Sequence, residues 1–152
     1  MTQATRLCYR GHALMENRNG LVAEACLTKA DGHGERHAAL AMIEPRADRP
    51  LRITVGEGYD TEDFVNELRA MNVTPRVAAK AKGSAIGGRT AQHAGYAISQ
   101  RVRKRIEEAS GWSKTIGPAA KTMLRGTERA GAQFTLTLAA SNLARLPRLL
   151  AA

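Results

Sequence analysis

Four side chains in this sequence have types and spacing that could do chemistry: Arg103, Glu107, Ser110 and Lys114. The composition of Tyr96 to Ile116 predicts one helix. On it these residues recur at i, i+4, i+7 and i+11 and share one narrow face. Glu107 then stands in line between two cations. A carboxylate so placed suits a hard divalent metal, and the cations suit phosphate oxygens. Glu108 lies about 100° around the same helix, away from Arg103 and Lys114, so Glu107 is the better candidate. Surface ion pairing produces the same spacing: an Arg-Glu-Lys ladder contributes roughly a few tenths of a kcal/mol per pair and needs no ligand.

A helix can present such a stripe only if its opposite face is packed. Ile98, Val102, Ile106, Ala109, Trp112 and Ile116 fall together and predict that face. Upstream, Arg6 to Leu27 reads as two extended segments joined by Asn17-Arg-Asn-Gly20, a strong hairpin turn signal. Leu21 to Thr28 forms the second strand. Glu35 to Glu44 has helical composition and stops at Pro45. Leu51 to Val55 is a short β-rich run. Thr61 is a good N-cap for a helix reaching Met71, with Glu62 and Asp63 in its first turn and an apolar stripe of Phe64, Val65, Leu68 and Met71. Val73 to Ala78 is a strand in which Pro75 predicts an edge position.

Hairpin, helix, strand, helix, strand predicts an α/β domain with a mixed sheet, followed by C-terminal helices. The glycine-rich, basic stretch 80–95 lacks periodicity and predicts a mobile loop carrying Lys80, Lys82 and Arg89. Gly117-Pro118 predicts a break, and Ala132 to Leu146 a last helix ended by Pro147. A length of 152 residues suits one domain, 1–152.

The formal net charge of +9 and pI near 10.3 favour a polyanionic partner, most often nucleic acid. The basic loop fits that partner, and fits equally a solvated connector. The two cysteines, Cys8 and Cys26, form no CxxC pair and predict reduced thiols and a cytoplasmic setting. No apolar run approaches the ~20 residues of a membrane helix, so no membrane partner is expected. His33 and His37, four apart, have metal-binding spacing but no neighbouring third ligand. His12 reads as a structural strand residue.

The phrase Gly95-Tyr-Ala-Ile-Ser-Gln-Arg-Val-Arg-Lys-Arg-Ile-Glu-Glu108, with Arg-x3-Glu-x6-Lys spacing, resembles the signature of bacterial insertion-sequence DDE transposases of the IS-five and IS-four type. Further phrases agree in order: Gly11-His-Ala-Leu-Met-Glu-Asn-Arg-Asn-Gly20, Gly58-Tyr-Asp-Thr61, Ser84-Ala-Ile86, Gly88-Arg-Thr90, Phe134-Thr-Leu-Thr137, Asn142-Leu143 and Arg145-Leu-Pro147. The likeness spans nearly the whole chain.

This resemblance implies an RNase H-like catalytic domain whose acids hold two divalent ions, usually Mg²⁺, to cut and join DNA phosphodiesters. It implies that Glu107 is the helix glutamate and a metal ligand. It implies that Arg103 and Lys114 hold transposon-end DNA, with the protein working as a homo-oligomer or with an upstream transposase segment. Tyr96 lies seven residues before Arg103 instead of three, so no role carries over to it. The first aspartate is expected on a central strand preceding the hairpin, outside this sequence, which makes the sheet partial and the domain truncated. The family phrase Gly-x-Asp-Lys-Gly/Ala-Tyr-Asp is shortened here to Gly56-Glu-Gly-Tyr-Asp60. Asp60 matches its trailing aspartate, and Asp60 or Glu57 is the candidate to replace the catalytic one. Gly87, Ser110 and Ser141 replace the family's Asp, Phe and Tyr. The chain is expected to be inactive alone. The alternative is a non-enzymatic, basic DNA-binding remnant.

Overall fold

The computed structural model describes residues 8–30 and 34–151. In chain order its elements are β1 (Tyr9–Met15), β2 (Val22–Lys29), α1 (Gly34–Ile43), β3 (Leu51–Val55), α2 (Glu62–Ala70), β4 (Val73–Val77), α3 (Gly88–Ala91), α4 (Ala94–Val102), α5 (Arg105–Thr115) and α6 (Thr127–Leu150). The backbone separates into two compact units, residues 1–39 with 107–152 and residues 40–106. The architecture is mixed α/β, with two small sheets in place of the single mixed sheet expected from the element order.

In the first unit β1 and β2 pair antiparallel, Tyr9 opposite Lys29, with a register shift between Leu14 and Met15. Asn19-Gly20 makes the turn as its sequence requires. Gly20 sits at φ +71°, where a side chain would be strained. The Glu16 carboxylate accepts the N–H groups of Arg18 (2.8 Å) and Asn19 (2.5 Å), holding the turn closed.

Helix α6 packs on β2, and polar bonds tie it to the hairpin. The Asn142 amide accepts from the Val22 N–H and donates to the Val22 carbonyl, both at 2.8 Å, and so satisfies both backbone groups of one strand residue. Arg145 donates from Nε to the Asn19 carbonyl (2.6 Å) and pairs with Glu108 at 3.2 Å. The Tyr9 hydroxyl accepts the Gly126 N–H at the start of α6, at 2.9 Å. A Cβ on Gly11 would stand 2.6 Å from the Phe134 ring, so only glycine allows that approach. The buried apolar residues lying wholly in this unit are small apart from Leu138: Ala38, Ala39, Ala109 and Ala130.

The second unit has the larger core. Strands β3 and β4 run parallel, Leu51 opposite Val73 and Val55 opposite Val77, and α2 supplies the crossover that a parallel pair needs. The expected stripe of α2 is buried: Phe64, Val65 and Leu68 close over Val73 and Val77, and Tyr59 leans on Phe64 with ring centroids 5.2 Å apart. Thr61 has extended backbone but makes no side-chain cap bond, so the anticipated cap is a geometric one only. Asn72, at φ 59°, ends the helix in the left-handed conformation that asparagine tolerates.

Four expectations need correction. The single helix over Tyr96–Ile116 is two, α4 and α5, interrupted at Arg103 and Lys104. There the Ile106 N–H bonds the Arg103 carbonyl, a tightened i+3 turn. Arg101 and Arg105, like charges four apart amid Arg103 and Lys104, oppose a continuous helix. The expected apolar face holds only in part: Ala109 is buried and Val102, Ile106 and Trp112 are half-buried, but Ile98 is 58% and Ile116 71% exposed, and Ser99 and Ser113 are buried in their stead. Stretch 80–95 is not structureless, since it contains α3 and the start of α4. Finally, α6 begins at Thr127 and runs past Pro147 to Leu150, because the proline removes just one donor near the helix end.

Replacing Asn142 by Ala would leave the Val22 N–H and carbonyl without partners. A loss of about 1–3 kcal/mol is expected, read as a lower urea midpoint by circular dichroism. An unchanged midpoint would mean that the clamp contributes nothing.

Candidate functional site

The second unit holds the most constrained polar centre. Asp60 follows the turn after β3 and is 1% exposed. Its Oδ2 accepts the Lys80 N–H at 2.7 Å and its Oδ1 accepts the Ala85 N–H at 2.9 Å. Burial pushes the Asp60 carboxyl upward. The backbone bond from Lys80, the Ser84 side chain, the Ala85 bond and the Lys80 charge together outweigh it and hold the group below its ordinary value. Asp60 therefore spans residues 80–85 as a strap and fixes the segment in which a mobile loop was expected. Ile86, next along, is buried.

Helix α4 is fastened to β4 in the same unit. The Tyr96 hydroxyl donates to the Val77 carbonyl (2.8 Å) and accepts the Ala79 N–H (3.0 Å). Arg76 donates to the Gly95 carbonyl at 2.7 Å and to the Ser99 hydroxyl. Gln100 donates to the Arg76 carbonyl at 2.6 Å. Tyr96, Arg76 and Gln100 were not singled out as functional by spacing. An aromatic hydroxyl or a guanidinium bonding to backbone leaves no periodic signal in a sequence.

Arg103, at the C-terminal cap of α4, is half-buried. Its Nε is buried with no hydrogen-bond partner, and its guanidinium stands 3.2 Å from where a Cβ on Gly56 would lie. The guanidinium thus faces the end of β3, the point at which the acid-bearing phrase is shortened. Glu57 is exposed in the following turn. Lys80 is half-buried, and Lys82 and Arg89 are exposed on the strapped segment and α3.

Glu107 and Lys114 lie in the first unit, on α5, and both are exposed. Neither makes a hydrogen bond or ion pair with the described residues. The break at Arg103 and Lys104 puts Arg103 and Glu107 on different helices. Glu108, by contrast, is committed to Arg145. His12 is buried with Nε2 2.8 Å from the Thr28 hydroxyl, a strand-to-strand bond, and Cys8 and Cys26 are free thiols. His33, of the His33–His37 pair, lies outside the described residues.

Among the described residues no group of three or more His, Cys, Asp or Glu could hold a metal ion. Asp60 offers a carboxylate already bonded at both oxygens and closed to solvent. It was a candidate ligand on sequence, and in the structure both of its oxygens hold backbone N–H groups of residues 80 and 85. The described residues do not by themselves group into a two-ion centre.

A protein-family model described as the transposase DDE domain matches residues 2–143. The chain belongs to the transposase DDE domain family, whose members use divalent metal ions in DNA transposition. No curated protein and no solved structure matches the chain. No described helix is long and apolar enough to cross a membrane.

Asp60 makes stability depend on pH with a defined sign. Its folded-state value lies below the unfolded one of about 3.9, so its contribution is complete above that value and is lost as pH falls through the folded value. Asp60→Asn should cost about 1–3 kcal/mol at neutral pH, and the gap from the parent chain should narrow below about pH 4. Urea melts at pH 7 and pH 3 check this. A gap independent of pH would mean that the ionised carboxylate is not the stabilising form.

Proposed function

We propose that this chain serves DNA transposition as a DNA-binding transposase segment of the IS-five or IS-four type that does not cut DNA on its own. The observation carrying this reading is Asp60, an acid at the expected end of the middle strand whose oxygens are used to hold backbone. The charge of +9 supplies the affinity for phosphate. Lys82 and Arg89 supply exposed cations on a segment that Asp60 has already ordered, which lowers the entropic cost of docking. Arg103 and Lys114 are the cations that the family resemblance assigns to transposon ends. An antiparallel hairpin together with a parallel β3-α2-β4 crossover supports RNase H-like parentage.

One observation favours a second reading. Glu107 is exposed and unengaged, so its carboxylate is open to a metal ion such as Mg²⁺ if a second copy of the chain or another transposase segment brings the remaining acids.

The test is fluorescence anisotropy on duplex DNA across a salt series, followed by a nicking assay with Mg²⁺. The binding constant should fall steeply with salt. Lys82→Ala with Arg89→Ala should flatten the slope by about two. An unchanged slope would remove both residues from the interface. Glu107→Gln should leave affinity nearly unaltered. Nicking by the chain alone that disappears in Glu107→Gln would overturn the non-cutting reading in favour of a working metal centre.

A further inference from the structure

The first unit contains a cavity of about 650 Å³ that the strap around Asp60 does not involve and that shares only Lys114 with the Arg-x3-Glu-x6-Lys signature. Its walls come from β1, β2, α5, the segment before α6, and α6 itself. Arg10, Lys114 and Arg125 line it, and no Asp or Glu does. Arg10 is held at 2.9 Å by Glu35, which fixes one guanidinium while leaving it 43% exposed. Lys114 and Arg125 are exposed and make no ion pair with the described residues. The remaining wall is partly apolar, with Leu27 and Phe134.

Three cations, of which only Arg10 has a carboxylate partner, raise the local potential and select an anion. The volume selects its size, since pockets of roughly 300–1,000 Å³ take small organic ligands. A bare phosphate would leave most of this space empty, and a duplex is too wide to enter it. An apolar wall carrying Phe134 accepts the flat face of a base. We propose that this cavity binds one nucleotide, with its phosphate on Arg125, Lys114 and Arg10 and its base toward Phe134 and Leu27. The nucleotide is either free or the unpaired end of a DNA strand. The strand-end source rests on the DNA-binding reading above, whereas the free source does not.

Cys8 lines the same cavity and is exposed, so its thiol can report occupancy. Cys26→Ser leaves Cys8 as the only thiol in the chain. The experiment measures the rate at which a thiol reagent modifies Cys8 in that full-length variant. The additions are deoxyadenosine, deoxyadenosine monophosphate, or a short 5′-phosphorylated single strand. The monophosphate or the strand should slow modification, and deoxyadenosine should not. Arg125→Glu should weaken that protection roughly tenfold or more. Circular dichroism checks that its fold is kept, as expected for an exposed side chain without partners.

Protection by the strand alone assigns the site to DNA ends. Protection by the monophosphate alone assigns it to free nucleotide and leaves duplex binding to be judged by its own salt series. Equal protection by deoxyadenosine, no protection by any ligand, or full protection retained in a folded Arg125→Glu variant would each overturn the proposal.

Discussion

The second unit depends on one buried carboxylate. A charge withdrawn from water is costly unless donors replace the lost hydration. Asp60 gets its replacement from two backbone N–H groups twenty and twenty-five residues further along the chain. The bonds that make the charge tolerable also dictate the path of residues 80–85. Strand β4 ends where that path begins, and α4 then returns to the same strand end through Tyr96 and Gln100. One ionised group thus converts a glycine-rich, aperiodic sequence into a defined route between β4 and α4.

The first unit solves a different problem. Its buried apolar residues are mostly alanines, which remove little surface from water. Its large apolar side chains are often outside, among them Ile116, Met123, Leu136, Leu143 and Leu150. Directional bonds therefore carry more of the fold. Asn142 seizes both backbone groups of Val22, Arg145 holds the hairpin turn, and Tyr9 receives the first turn of α6. Gly11 and Gly20 give Phe134 and Arg145 the room to reach the hairpin.

What could be read from the sequence follows from these two designs. The hairpin, β3, α2 and β4 were legible because local signals agreed with tertiary packing: Asn-Gly at the turn, β-branched residues in strands, a period of 3.6 in α2. Helices α4 and α5 misled, because the apolar period continues to Ile98 and Ile116, which are exposed, while Ser99 and Ser113 are buried. Their contacts are hydrogen bonds to strand ends, which periodicity cannot register. The phrases that carried the family resemblance proved informative in another way. Gly11 meets Phe134, Asp60 meets Ser84 and Ala85, and Asn142 meets β2, so distant phrases in the sequence are partners in space. At the candidate site, the exposure of Glu107 and Lys114 was compatible with the sequence reading. The burial of Asp60 was not visible, because an acid in a turn phrase looks the same whether it faces solvent or backbone.

The strap at Asp60 also bears on how such a chain ages over generations. An aspartate whose first task is to hold a loop is guarded by the requirement to fold. A substitution there costs stability whether or not the chain cuts DNA, while an acid that serves only the chemistry carries no such cost. The presence of this aspartate therefore speaks for the fold and not for the reaction.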